Sequence, residues 1–99
     1  MKATKEWLQN HLEMPMRRAL KMHSPNIRTG NGGSISAQAS QHHYCSPKAD
    51  KGPYSSIEIL CHNLDESDLY SLPNDEVHGW VSVETVVSLI NNNGGIKEA

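Results

Sequence analysis

The chain has 99 residues, enough for one domain with one modest core, and with 36% hydrophobic residues and no Phe that core must come from Leu, Ile, Val, Met, two Trp and three Tyr. A core this poor in aromatics favours further burial between subunits. The net charge of −2 hides an asymmetry: residues 1–48 carry seven Lys/Arg against two Asp/Glu (+5), and residues 49–99 two against nine (−7), while a pI near 6.3 argues against a non-specific DNA binder.

Residues 4–22 read as an amphipathic helix. Thr4 suits the N-cap, where its hydroxyl accepts from a free N–H of the first turn. Leu8, Leu12, Met16 and Leu20 recur every four residues, and Trp7 and Ala19 widen the stripe. Pro15 interrupts it, either as a kink or as the start of a second short helix over 15–22. Lys5, Arg17, Arg18 and Lys21 lie opposite, and Glu6 and Glu13 dilute that basic face, which weakens a membrane-surface reading. The expectation is an N-terminal helical segment over 1–23, an oligomer contact, ahead of an α+β core over 24–99.

Residues 23–33 read as a linker ending in the turn Thr29-Gly30-Asn31-Gly32-Gly33. A strand over 34–40 follows, with Ile35, Ala37 and Ala39 on an apolar face and Ser34, Ser36, Gln38 and Ser40 on a polar one. The loop over 41–53 is longer than a hairpin needs. A second strand over 54–61 places Ile57, Ile59 and Cys61 on one side and Ser56 and Glu58 on the other, and pairs antiparallel with the first. Residues 64–72 read as a helical turn capped by Asn63 or Asp65, and 73–75 as a turn. A third strand over 76–82 has Val77 and Val81 on one face and His78 and Trp80 on the other. Ser82 then caps a helix whose Val83, Val86, Val87 and Ile90 share a face, ended by a left-handed cap in the run from Asn91 to Gly95. The fold expected is α+β: a small antiparallel sheet of about three strands, covered by the N-terminal and C-terminal helices.

Two cysteines, Cys45 and Cys61, make no disulfide framework. No apolar run is long enough to span a membrane and Met1 to Thr4 starts no signal peptide, so a soluble cytoplasmic protein with free thiols is expected. The cluster His42-His43-Tyr44-Cys45 with Cys61-His62 offers ligand types that suit zinc. The two halves start near opposite ends of a hairpin and lack paired Cys-x-x-Cys spacing, so no metal and no cofactor is expected. Cys45 or Ser46 with His42 or His43 would make a nucleophile and base too close in sequence to meet productively, with no acidic orienter and no nucleophile elbow. No catalytic residue is therefore assigned. The acidic run Asp65-Glu66-Ser67-Asp68 with Asp75-Glu76 lacks the spacing of a calcium loop and reads as solvated or partner-facing.

A phosphate or nucleotide site suits the remaining groups. Arg28 precedes Gly30-Asn31-Gly32-Gly33, whose backbone N–H groups could form an anion nest, and Arg binds phosphate bidentately. Tyr44, His43 and His42 can stack on a base, Ser36, Gln38 and Ser46 can read polar edges, and Lys48 adds a second cation. The glycines precede a strand and not a helix, so this is neither a P-loop nor a dinucleotide fingerprint. A plain turn, a solvated strand face and a loop account for the same residues.

The pieces Arg28-Thr29-Gly30-Asn31-Gly32, the strand from Ser34 to Ser40, His43-Tyr44-Cys45-Ser46-Pro47, Gly52-Pro53-Tyr54, Gly79-Trp80-Val81-Ser82-Val83-Glu84 and Asn93-Gly94-Gly95-Ile96 occur in that order. From Arg28 to Ile96 the chain resembles a group of small phage-encoded proteins, and among functional families the Thoeris anti-defence sponge. That resemblance implies a sheet-plus-helices homo-oligomer in the host cytoplasm. It also implies sequestration of a cyclic ADP-ribose-type signal or cyclic oligonucleotide without turnover. On the residues themselves, Arg28 and Lys48 are expected to take phosphate, Tyr44 and His43 to stack, and Asn31, Ser36, Gln38 and Ser46 to make polar contacts. The alternative is an anti-CRISPR-type inhibitor whose acidic half docks on a host defence protein.

Overall fold

Thr4 opens the first helix, α1 (Lys5–Leu12), by accepting a hydrogen bond from the Trp7 N–H at 3.1 Å. The computed structural model describes residues 1–13, 24–65 and 72–97. The second half of the expected N-terminal helix, with Pro15, and most of the expected turn over 64–72 lie outside the described residues. Four strands follow α1: β1 (Ile27–Arg28), β2 (Ser34–Gln38), β3 (Ser56–His62) and β4 (Val77–Ser82). They form one antiparallel sheet in chain order. Ser82 accepts from the Thr85 N–H at 3.1 Å and so caps the last helix, α2 (Val83–Asn92). The α+β class is as expected, with a fourth strand where residues 27–28 read as linker.

Strand alternation sends one set of side chains toward the helices. Ile27, Ile35, Ala37, Ile57, Ile59, Cys61 and Val81 join Leu8 and Leu12 of α1 and Val86, Leu89 and Ile90 of α2 in a single buried core. The described turns of α1 thus bury their apolar stripe within the subunit.

The two chain ends meet beside β1. The Met1 ammonium donates to the Ile96 carbonyl at 2.8 Å, and the Asn91 side chain clamps Ala3 through its N–H and its carbonyl at 2.7 and 3.0 Å. Gly30 packs so closely on Gly94 that a Cβ there would lie 2.4 Å from the Gly94 carbonyl oxygen. Buried Asn93 ties this corner together: its Oδ1 accepts from the Asn31 side chain and the Asp65 N–H, and its Nδ2 donates to the Leu89 carbonyl. Gly94, at φ +93°, supplies the expected left-handed turn after the helix.

The loop between β2 and β3 is pinned along its length. The Gln9 amide bonds the N–H and carbonyl of Tyr54, Glu13 accepts from the Gly52 N–H, and Ser46 bridges to Ser56. Both Ser46-Pro47 and Gly52-Pro53 are cis peptides.

β4 departs from simple alternation. Ile57 pairs with Val81 and Ile59 with His78, so Gly79 and Trp80 together oppose Glu58 in a β-bulge, with Trp80 at φ +53°. The inserted residue moves Val77 to the face opposite Val81. Val81 is buried and Val77 is 58% exposed, which corrects the expectation that the two valines share a face.

Candidate functional site

The face of the sheet turned away from the helices carries three cross-strand rows. The register places Arg28 beside Ser34 and Ser34 beside His62 in the first row, and Ser36, Leu60 and Val77 in the second. Gln38 and Glu58 head the third, which the bulge residues Gly79 and Trp80 complete. First and third rows lie four residues apart along β2, about 13 Å.

The third-row end is roofed by an aromatic pair. A Cβ on Gly79 would lie 2.7 Å from the Tyr44 Cβ, so only glycine lets Tyr44 settle there. The Trp80 N–H donates to the Tyr44 carbonyl at 2.9 Å, and the two rings lie 5.1 Å apart at 36°. Both remain more than half exposed. The Lys48 ammonium sits 5.7 Å from the Tyr44 ring centroid, within reach of a cation–π attraction. Beside this pair lies a trough of about 170 Å³ bordered by Ser36, His43, Glu58, Leu60 and Val77.

The first-row end is cationic. A pocket of about 210 Å³ is lined by Arg28, Ser34, His62 and Lys97 together with Gly32 and Gly33. Along this face the chemistry therefore runs from positive charge, through an apolar centre, to an exposed aromatic pair with Glu58 in the same row and Lys48 over the Tyr44 ring.

Among the expected site residues, Arg28, Ser36, His43, Tyr44 and Lys48 lie on or beside this face. The His43 Nδ1 is 2.6 Å from the Ser40 hydroxyl, which fixes the ring at the trough. Gln38 reaches the face at its edge, but its amide is engaged: Oε1 accepts from the Ser24 N–H at 2.7 Å, and Nε2 donates to the Ser24 carbonyl and the Ser36 hydroxyl. Buried in that clamp, Gln38 holds the chain entering β1. Asn31 accepts from the Thr29 hydroxyl and donates to Asn93, and so closes the corner between the chain ends. Ser46 lines neither pocket and serves as the bridge to Ser56.

The glycine turn is not the anion nest that its composition suggests. The Thr29 N–H donates to the Gly33 carbonyl, Gly30 to Gly95, Asn31 to Asn93 and Gly32 to Thr29. The Gly33 N–H donates to the Thr29 hydroxyl and the Asn31 side chain. With all five donors engaged, Gly30 serves close packing on the Gly94 backbone and Gly33 on the Leu64 side chain and the Asn63 carbonyl, while Gly32 supplies a positive φ of +95°.

Cys45 is buried with its Sγ 3.2 Å from the Ser40 carbonyl, and burial pushes the Cys61 thiol up to about 11. The Cys61 sulfur is therefore a neutral, apolar core group at neutral pH. Among the described residues no three His, Cys, Asp or Glu side chains are grouped to hold a metal, and no helix is long and apolar enough to cross a membrane.

Leu60, His62, Val77, Trp80 and Lys97 were not expected at the site. The bulge that places Trp80 has a weak local signal, a glycine before a bulky residue. Lys97 has none, because only the folding-back of the tail brings it to Arg28. Comparison with protein-family models, with curated proteins and with solved structures finds no match.

Proposed function

We propose that this chain is a non-catalytic binding protein for a cyclic nucleotide of the cyclic ADP-ribose or cyclic oligonucleotide class, and that it acts by sequestering that signal. One observation carries the reading. Among the described residues, one sheet face carries cations without an ion pair at one end and an exposed Tyr44–Trp80 pair at the other, on strand rows about 13 Å apart. Phosphates suit the Arg28 end, through bidentate hydrogen bonding. A base suits the Tyr44–Trp80 end, where rings stack and the Glu58 carboxylate accepts from ring or ribose donors. The third-row end balances Glu58 with Lys48, whereas the pocket at the Arg28 end is lined by Arg28, Lys97 and His62, so the net positive charge there orients the ligand.

Sequestration needs a preformed pocket and no reacting group. The role as a phage counter-defence sponge is supported by the ordered motifs between Arg28 and Ile96. The face is open on one side, and a second copy of the chain would supply the missing wall over Leu60 and Val77.

The test is retention. Purified protein is incubated with cyclic ADP-ribose isomers and cyclic dinucleotides, washed, and heated. Intact ligand released on heating, together with a raised Tm before it, supports the proposal. No thermal shift and no released ligand across the panel overturns it, and tight co-purification with a nuclease complex instead would favour the inhibitor reading.

A further inference from the structure

We infer that Arg28, His62 and Lys97 form a phosphate subsite, floored by Ser34, that takes the pyrophosphate or phosphodiester group of the ligand. The inference rests on the nucleotide reading for its ligand, but its residues are argued from the pocket alone.

The two permanent cations are brought together by backbone pairing. The Lys97 N–H donates to the Arg28 carbonyl at 2.8 Å, and Thr29 bridges antiparallel to Ile96. The tail is held in turn by Met1, whose carbonyl accepts from the Ile96 N–H at 2.6 Å. Neither Arg28 nor Lys97 makes an ion pair among the described residues. Two adjacent cations without an anion repel each other, and the backbone pairing fixes them side by side regardless. A phosphate between them removes that repulsion and gains charge-assisted hydrogen bonds.

His62 completes the third side. Its Nδ1 lies 2.9 Å from the Asp75 Oδ1, and the Asp75 N–H is anchored on the Cys61 carbonyl at 2.7 Å. A carboxylate at Nδ1 makes that nitrogen the donor and leaves Nε2 for a second partner. When the ring is charged, Nε2–H becomes a third cationic donor toward the pocket. Asp75 is thus a positioning residue for His62. Ser34, between Arg28 and His62 in the register, contributes a hydroxyl. Gly32 leaves the approach open, since no atom lies within 4 Å of where its Cβ would be.

The experiment titrates the full chain with inorganic pyrophosphate at constant ionic strength and follows amide and side-chain NMR shifts. Saturable shifts confined to Gly32, Gly33, Ser34, His62 and Lys97 are expected. Arg28→Ala and Lys97→Ala should each weaken binding about tenfold or more, and Lys97→Arg should restore most of it. Shifts that spread equally over Lys2, Lys5, Lys48 and Lys51, or full binding by Lys97→Glu, would overturn the subsite. A second arm uses Trp80 fluorescence in a Trp7→Phe background with the cyclic nucleotide panel. If pyrophosphate binds and no nucleotide moves Trp80, the subsite stands and the nucleotide reading falls. If a nucleotide quenches Trp80 equally in wild type and Arg28→Ala/Lys97→Ala, the reading stands and the subsite falls.

Discussion

The two faces of the sheet are built from alternate residues of the same strands, yet they do different work. On the helix-covered face, Ile35, Ala37, Ile57, Ile59 and Cys61 are fully buried. On the other, Leu60, Val77 and Trp80 are large apolar groups left exposed beside Ser34, Ser36, Arg28 and Glu58. The first face holds the free energy of folding. The second keeps apolar and charged groups that contribute little to folding, which is the composition of a surface that meets something else.

Adjacent residues give the sharpest contrast. Ile59→Ala should cost ~4 kcal/mol by urea denaturation, because it opens a cavity under the helices. Leu60→Ala, one residue on, should cost under ~1 kcal/mol. Equal losses would show that the second face is covered in the isolated protein and would break the comparison.

Gly30→Ala tests the corner that supports the cationic end. Its Cβ would meet the Gly94 backbone, and a backbone atom yields less readily than a side chain, so a loss of ~2–3 kcal/mol is expected. A loss below ~0.5 kcal/mol would mean that the two chain ends are not locked together.

Trp80→Asn should move stability and binding in opposite directions. Asparagine tolerates the left-handed backbone far better than tryptophan, whose strain is ~1–3 kcal/mol, against ~1 kcal/mol lost from the ring pair. The variant should keep or raise its Tm while losing ligand retention. A fall in Tm with retention intact would assign Trp80 to the fold instead.

The smallest expected effect concerns His11, on the covered side. Burial holds its imidazole below the ordinary value of 6.5, outweighing the Pro25 carbonyl at 2.8 Å, which acts the other way. The unfolded chain therefore binds more protons at mildly acidic pH. His11 contributes its full stabilisation above about pH 6.5 and loses it as pH falls toward the folded value. Tm measured from pH 7.5 to 5.0 should decline more steeply in wild type than in His11→Phe; parallel curves would show that His11 is not buried neutral.

Local chemistry made much of this legible. Thr4 and Ser82 cap the helices they were expected to cap, and the alternation gives the buried Ile35, Ala37, Ala39, Ile57, Ile59 and Cys61, while Gln38 and Ser40, expected on the polar face, are buried as well. What escaped was non-local. Two residues at 27–28 become a strand only because β2 offers them a ladder, with the tail pairing just beyond. Gln38 sits at a polar position of its strand but is captured by Ser24. The glycines of the turn look like an anion nest until Gly94 and Gly95 engage Gly30, while Asn93 and the turn's own residues take up the other N–H groups. The bulge at Gly79 and Trp80 reverses the facing of β4, and with it the membership of the site.

The sheet face turned away from the helices is the binding surface we propose. It is tested most directly by amide shift mapping of the full chain with a cyclic nucleotide retained in the heat-release assay. Shifts are expected at Ser34, Ser36, Leu60, His62, Val77 and Trp80, with α1 and α2 unchanged. Shifts centred on Trp7, Asn10 and His11, or on the exposed side of α2, would contradict it.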